Sequence, residues 1–303
     1  MIQEALPAAL APVRWGIIST AAIAREKVIP ALLASPWCQI QAIGSRTLES
    51  AQSCAQRFDI PRAYGSYEAV LDDPDVEAVY VPLPNHLHID LVLAATARGK
   101  HVLCEKPFAL TASEVRRLRD VPGHLVVGEA FMVRHHPQWA QLRRMLRSGE
   151  HGPVRAVQIL LSCTITAPDD IRLNPAAGGG ALYDVGSYAV MTARYIYERE
   201  PRQVFCTVER DPLGGVDTQA SAILDFGDGR QATFTVGLKM AATQRLQIVC
   251  ERSVLDLPAA YIPTGTNPAG LWIDSQPGVD KSAPAFLPMP VADQYLCEVT
   301  HFA

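Results

Sequence analysis

The sequence predicts an α/β chain in two parts. An amino-terminal doubly wound parallel sheet spans residues 1–130, and a carboxy-terminal α+β domain with a large open, mainly antiparallel sheet spans 131–303. Three observations carry this. In the first part, short apolar runs alternate with helical stretches of roughly 10 to 15 residues, the pattern of βαβ units with right-handed crossovers. In the second, the runs are longer, alternate with a period of two and are joined by short polar turns, which is how antiparallel hairpins read. And 303 residues suits about two domains of roughly 150 each.

Residues 13–18 (VRWGII) form the first strand, and Ser19-Thr20-Ala21 leads into a helix over about 22–35. Residues 38–44 alternate as a second strand, and 47–58 read as a helix behind a Thr47 cap. A third short strand falls at Ala63-Tyr64, a short helix at 67–71, a buried strand at 76–84, and a helix at 86–98 that Gly99 ends. A strand at 101–107, a helix from Ser113 and a strand at 124–131 complete the first part. After an amphipathic helix at 135–149, strands are expected at 154–166, 202–210, 218–227, 230–239 and 244–252, with turns such as GGVD and GDG. A Gly-rich patch and helix over 178–197 interrupt them. In the strand at 230–239, Ala232, Phe234, Val236 and Leu238 point one way, and Thr233 and Thr235 the other.

Composition removes several functions. Lys+Arg 27 against Asp+Glu 31 gives a net charge of -4 without a basic run, so no nucleic-acid partner is expected. No apolar stretch approaches the roughly 18 to 20 residues of a membrane helix. The opening MIQEALPAALAP does not read as a signal peptide, which points to the cytoplasm. The 7 cysteines contain no CxxC pair, so no metal or dithiol site is expected; most sit in apolar contexts and fit a reducing compartment.

The chemistry gathers at strand ends. Gly16 to Ala24 is a turn of small residues after a strand, where a pyrophosphate can sit on a helix N-terminus. The second strand ends in Gly44-Ser45-Arg46, without the acid that holds an NAD ribose; a hydroxyl and a guanidinium there suit the 2′-phosphate of NADP. Pro82-Leu83-Pro84-Asn85 closes the fourth strand at the crevice of a doubly wound sheet. His86 and His88 follow and read as capping or packing residues without a catalytic role. Cys104-Glu105-Lys106-Pro107 ends the fifth strand; a lysine there is either functional or simply turned to solvent. In the stretch GGGALYDVGSY (178–188), Asp184 and Tyr188 are one helical turn apart, behind glycines that permit close approach of backbone or ligand.

Together, Gly16 to Ala24, Pro84-Asn85, Glu105-Lys106-Pro107 and GGGALYDVGSY resemble the Gfo/Idh/MocA oxidoreductase family over essentially the whole chain. Tyr188, where many members carry His, is similar to the branch containing dimeric dihydrodiol dehydrogenases, NADP-dependent D-xylose dehydrogenases and glucose-fructose oxidoreductases, and it argues against an inositol substrate. The resemblance implies an NADP-binding Rossmann domain followed by a substrate-binding and oligomerisation domain. It implies that Lys106 is the catalytic lysine, Tyr188 the general acid/base and Asp184 its neighbour at the substrate. Cofactor contacts are implied for Gly16, Ser19, Thr20, Ala21, Ile23, Ser45, Arg46, Leu83, Pro84, Asn85, His88, Glu105, Lys106 and Arg134 (in EAFMVRHHP). Ser19 and Ala21 stand where the dinucleotide fingerprint has glycines. The resemblance further implies a C-terminal helix continuing past CEVTHFA, and a homodimer or homotetramer built through the open sheet.

The reaction so implied passes hydride between NADP (NAD less favoured) and a hydroxyl-bearing carbon of a sugar, D-xylose-like, or of a trans-dihydrodiol. A tyrosine with a pKa of about 10 needs help as a base; a cation within about 4–6 Å lowers such a pKa by roughly 1 to 3 units. Lys106 is the expected cation. The alternative is a catalytically silent NADP(H)-binding redox sensor, whose mark would be loss of Lys106, Asp184 or Tyr188; all three are present.

Overall fold

The computed structural model describes residues 11–212, 215–275 and 283–303. The reading of the opening residues 1–10, and of Gly214 in the GGVD turn, lies outside the described residues. Contacts divide the chain into two units, Met1–Met132 with Asp293–Ala303, and Val133–Ala292.

In the first unit, β1 (Val13–Ile18) leads through a π-helical turn, Ala24–Val28, into α1 (Ile29–Ala34). Then follow β2 (Cys38–Gly44), α2 (Leu48–Phe58), β3 (Arg62–Tyr64), α3 (Tyr67–Leu71) and β4 (Ala78–Val81). α4 (His88–Thr96), β5 (His101–Glu105), α5 (Ala112–Arg116) and β6 (Val127–Ala130) complete the run. Thr47 and Ser66 cap α2 and α3 by accepting from Ser50 N and Ala69 N. The cap of α5 is Thr111 rather than the expected Ser113. Thr111 forms a reciprocal capping box with Glu114, two bonds where a lone serine would make one.

The six strands pair in parallel in the order β3-β2-β1-β4-β5-β6. Side chains alternate between the two faces of such a sheet. Trp15, Ile17, Ile43 and Tyr80 accordingly pack with Val28, Ile29 and Leu32 in one core cluster. Ile18, Val79 and Val81 pack with Val70, Leu71 and Val92 in the other. Strand order reverses between β1 and β4, the place where a doubly wound sheet opens a ligand crevice at the carboxyl ends of its strands.

The second unit begins with α6 (Pro137–Arg147), capped by the His136 side chain, and β7 (Val154–Thr164). A second π-helical turn, Leu182–Gly186, runs into α7 (Ser187–Tyr197). Seven strands follow: β8 (Gln203–Arg210), β9 (Asp217–Gly227), β10 (Arg230–Gly237), β11 (Lys239–Cys250), β12 (Val254–Leu257), β13 (Gly270–Asp274) and β14 (Ala285–Pro288). Their order is β14-β13-β12-β11-β7-β10-β9-β8. All neighbours are antiparallel except β7 and β10, which the sequence of hairpins did not reveal. The chain leaves β7 for α7 and the far edge, then returns through the β8-β9-β10 meander. That path brings β10 back in the direction of β7.

One face of this sheet is covered: Val157, Ile159, Leu224, Ala232, Phe234, Val236 and Ile248 are buried, as are Trp139, Leu142 and Ala193 of the helices. The other face shows Leu160, Phe205 (65% exposed) and Ile223. Among the described residues no disulfide forms; Cys54, Cys104 and Cys250 are buried, but Cys206 is exposed on β8, against the expectation of apolar surroundings. No helix is long and apolar enough to cross a membrane, and no group of three metal-ligating side chains assembles, among the described residues.

The last helix, α8 (Gln294–Phe302), departs from the expected second domain of 131–303 by packing on the first unit. Its apolar side explains this: Val299 joins the core cluster of Trp15 and Leu32, Phe302 lies 5.1 Å from the Trp15 ring, and Thr300 bonds to Ser35 at 2.9 Å. The same docking buries Glu298, 2% exposed, with Oε1 unbonded. Burial, and the charge of Glu105, push its pKa well above the ordinary carboxylate range. Its folded pKa thus exceeds its unfolded value of about 4.3, the folded state holds the extra proton, and stability falls as pH rises above about 4. Glu298→Gln should therefore raise the melting temperature at pH 8, with the gain shrinking toward pH 4. Thermal denaturation across that range checks it; a gain that grows on acidification contradicts the buried acid.

Candidate active site

Each unit carries its own set of candidate residues. In the first, Gly16 lies within β1, where a Cβ would meet Val70 Cγ1 at 2.6 Å and Val76 Cγ1 at 3.0 Å. Its smallness serves the packing of α3 onto the sheet. The turn proper begins at Ser19, whose φ of 102° is a conformation that favours glycine. Ser19 N donates to Gly44 O at 2.9 Å, and Ser19 Oγ accepts from Ala21 N at 3.1 Å, so the serine supplies its own local bond. Thr20 Oγ1 is 3.0 Å from Ser50 Oγ, and its carbonyl accepts from Arg25 Nε at 2.9 Å. Thr20, Ala21 and Ile23 are half-buried at the start of the helix.

At the end of β2, Ser45 is buried and Arg46 exposed, and no carboxylate stands among Gly44-Ser45-Arg46-Thr47. The backbone turn, the helix start and an exposed guanidinium fit a dinucleotide with a 2′-phosphate better than one whose bare ribose needs an acid. Leu83, Pro84 and Asn85 are half-buried at the end of β4.

Glu105 does not point to solvent. Tyr80 donates its hydroxyl to Glu105 Oε1 at 2.7 Å, and Lys106 N donates to Oε2 at 3.2 Å. The Glu105 carboxylate is thus an internal anchor for the strand end. Burial and that carboxylate hold Tyr80 well above the ordinary tyrosine pKa. Lys106 is half-buried, the Lys106–Pro107 bond is cis, and Phe108 N bonds to Glu129 Oε1 at 2.8 Å. His88, also expected to touch the cofactor, is fully buried with both ring nitrogens facing carbonyl oxygens, which corrects that expectation.

In the second unit, Asp184 lies in the π-helical turn and Tyr188 in the first turn of α7. Single π-turns inside helices recur at functional sites. Tyr188 is 9% exposed, its ring edge-on to Tyr261 at 5.8 Å, and Tyr261 OH meets Thr192 Oγ1 at 3.0 Å. Three residues the sequence did not single out hold this turn. Asp217 Oδ2 accepts from Leu182 N at 2.7 Å at the helix start. Arg172 grips Asp170 through two bonds, at 2.9 and 2.8 Å, and reaches Asp184 Oδ2 at 3.5 Å. These carboxylates push the Arg172 pKa up. The RLNP stretch was the available signal, a charged residue beside the glycines. The glycines owe their place to close approach: a Cβ on Gly179 would lie 2.5 Å from Arg172 O, and one on Gly180 would land on Asp217 Oδ1.

Arg134 is exposed, its guanidinium 5.9 Å from the centre of the Tyr195 ring, which Arg143 also covers at 5.1 Å. It falls in the second unit, whereas the other cofactor candidates fall in the first. Within their units, then, the glycine turn, the β4 end and Lys106 share one sheet edge, while Asp184 and Tyr188 share one helix. The first set offers a dinucleotide cradle and a cation; the second offers a phenol and a carboxylate suited to moving a proton.

Residues 13–121 match the family described as "Oxidoreductase family, NAD-binding Rossmann fold", and residues 139–256 match the "GFO/IDH/MocA C-terminal domain". The chain is 42% identical over 294 residues to an uncharacterized oxidoreductase, ORF334, of Rhizobium meliloti, covering 96% of this chain and 88% of that protein. It is 40% identical over 250 residues to the D-xylose 1-dehydrogenase (NADP(+)) 2 of Haloferax volcanii, covering 82% and 76%. Among solved structures, KijD10, a 3-ketoreductase from Actinomadura kijaniata in complex with NADP and TDP-benzene, superposes with a TM-score of 0.88 at 30% identity, covering 96% of this chain and 89% of that one.

Gly180→Ala tests the close approach. At φ 125° a side chain is strained, and the new methyl displaces the Asp217 cap, so the loss should reach about 2 kcal/mol or more. Gly123→Ala, which meets no atom within 4 Å, should stay within about 0.5 kcal/mol. Denaturant titration of both variants reads the difference; equal losses would mean the glycine run is only a flexible link.

Proposed function

The chain belongs to the Gfo/Idh/MocA oxidoreductase family and is an NADP-dependent enzyme acting on CH–OH groups, and from that premise we propose that its substrate is a sugar, an aldose of the D-xylose kind. The observation that carries the proposal is the pairing on one helix of Asp184 with Tyr188, in a chain whose β5 ends in Glu-Lys-Pro. The 40% identity to a D-xylose dehydrogenase supports the aldose. A second reading, reduction of a keto-sugar carried on a nucleotide, is supported by the likeness to KijD10. A trans-dihydrodiol is the third compound class to assay.

Bound NADP+ supplies the hydride-accepting chemistry. The residues from Ser19 to Ile23 would hold its pyrophosphate, Ser45 and Arg46 its 2′-phosphate, and Leu83 to Asn85 the crevice at the β4 end. Tyr188 takes the proton of the substrate hydroxyl in oxidation and returns it in reduction. Tyr261, edge-on to it, restricts the Tyr188 ring, and Arg172 restrains the Asp184 carboxylate one turn earlier. Lys106 presents its ammonium at the end of β5, where the Glu105 anchor fixes the backbone. Proton transfer by a positioned side chain is worth about 10² to 10⁴ in rate. An exposed Cys206 thiol fits a reducing compartment, and we place the enzyme in the cytoplasm.

The bare sheet face supports a homodimer or homotetramer. It carries a shallow groove of about 530 Å³ lined by Leu160, Phe205, Ile223 and Arg245 among others. Apolar surface of that kind is normally covered.

Three outcomes are expected. NADP+ reduction followed by absorbance should proceed with D-xylose and fall sharply with NAD+; turnover confined to a nucleotide-linked sugar would install the second reading, and NADPH binding without turnover of any compound the sensor reading. Lys106→Ala and Tyr188→Phe should each lower kcat by about 10² or more with NADPH affinity nearly kept; a near-normal kcat in either removes that residue from the mechanism. Sedimentation should show a dimer or tetramer that Phe205→Glu splits; a monomeric native protein at micromolar concentration rejects the interface.

A further inference from the structure

His88 opens α4 without an exposed atom. Its two ring nitrogens face two different carbonyls: Nδ1 lies 2.8 Å from Pro107 O and Nε2 2.7 Å from Leu83 O. Leu83 belongs to the turn that leaves β4, and Pro107 to the turn that leaves β5 just after Lys106. β4 and β5 are parallel neighbours, Val81 opposite Cys104, so both turns leave the same edge of the sheet side by side. His88 spans them from beneath.

We propose that His88 is a positioning residue, a two-sided clamp that sets the spacing between the Leu83–Asn85 turn and the Lys106–Pro107 turn. Cofactor affinity at one and presentation of the Lys106 ammonium at the other are thereby tied to a single ring. The proposal rests on the roles given above to Lys106 and the β4 turn.

A carbonyl only accepts, so each ring nitrogen needs a proton to bond its partner. Burial pushes the His88 pKa below the ordinary imidazole value; Lys106 and His86, the titratable groups facing it, push the same way, and the two carbonyls oppose them. Near pH 7 the ring is then neutral and donates to one carbonyl at a time. In either tautomer one ring nitrogen donates to its carbonyl while the other only packs against its own, so the ring ties one turn by a hydrogen bond and the other by contact.

The two sides separate by substitution, because an asparagine amide nitrogen falls near imidazole Nδ1 and a glutamine amide nitrogen near Nε2. His88→Gln keeps the Leu83 tie and releases Pro107. It should lower kcat about ten-fold, the factor carried by one buried hydrogen bond, with little change in the NADPH dissociation constant. His88→Asn keeps the Pro107 tie and releases Leu83. It should raise the NADPH dissociation constant about ten-fold, with the smaller effect on kcat.

Hydrogen exchange should rise over residues 105–108 in the first variant and over 83–87 in the second. Equal effects of both variants on kcat, affinity and exchange, in proportion to lost stability, would reduce His88 to a packing residue and overturn the clamp. Lys106→Ala is the control for the underlying reading: if it leaves kcat intact, the assignment of Lys106 fails, while the exchange pattern still decides the clamp. Should neither variant fold, nitrogen-15 histidine spectra of the wild-type protein decide it. A ring N–H of His88 protected from solvent relative to that of exposed His86 supports the clamp, and one exchanging as fast as His86 overturns it.

Discussion

A carboxylate turned inward, that of Glu105, is the constraint on which the first unit depends. Burying a charge is tolerated only where hydrogen bonds replace its water. Here Tyr80 OH, from the next strand, and the amide of Lys106 do so. The consequences spread outward from that point. The peptide that carries Lys106 is pinned to the end of β5, so the lysine begins from a fixed backbone. The helix that returns from the chain end buries Glu298 near the Glu105 charge, and burial and that charge together push its pKa well above the ordinary carboxylate range. Tyr295 of the same helix is likewise pushed above the ordinary tyrosine value by burial and by Glu105. Glu105 thus pushes up the pKa values of its neighbours and fixes the backbone at the end of β5.

The second unit meets the same need by a different device. The helix that carries Tyr188 begins with a π-turn, and the Leu182 amide at that start is claimed by Asp217 from the sheet. Gly179 and Gly180 are small because Arg172 O and Asp217 occupy the space a side chain would need. Helix, sheet and the 166–175 loop converge there within one packing layer. Each unit has a π-turn next to candidate residues: Ala24–Val28 follows the Ser19–Ile23 turn, and Leu182–Gly186, which holds Asp184, heads the helix of Tyr188. A widened turn shifts the register of side chains without ending the helix, so the apolar face stays buried while the reactive residues are re-aimed.

Much of this was legible from residues alone, and the exceptions share a cause. The alternation of Ala232, Phe234, Val236 and Leu238 against Thr233 and Thr235 identified a one-sided strand, and burial follows it residue for residue. Glu-Lys-Pro and GGGALYDVGSY were visible because unusual residue types stand at strand and helix ends. Non-local contacts were not. The parallel pairing of β7 with β10 joins segments separated by a helix and two strands, and no local period records it. The return of α8 to the first unit depends on Trp15, Ser35 and Cys38, far away in sequence. Gly16 illustrates the subtler limit: smallness in a turn after a strand reads equally as room for a ligand or room for Val70, and only the fold tells them apart. The same holds for Arg172, one charge in a polar loop until its partner Asp184 is brought alongside.

Two loops of the second unit, 166–175 and 263–270, are held in different ways. The 166–175 loop is tied to the reactive helix: Asp170 accepts from Arg172, Arg172 reaches Asp184, and Gly180 N bonds back to Arg172 O at 2.9 Å. A change there is passed on to the Asp184 carboxylate, one helical turn before Tyr188. The 263–270 loop is closed largely upon itself, Thr264 N bonding to Asn267 O at 2.8 Å and Asn267 N to Thr264 Oγ1 at 3.0 Å. It can be remodelled with little strain passed to Asp184 or Tyr188. Changes in the second loop are therefore the more local of the two.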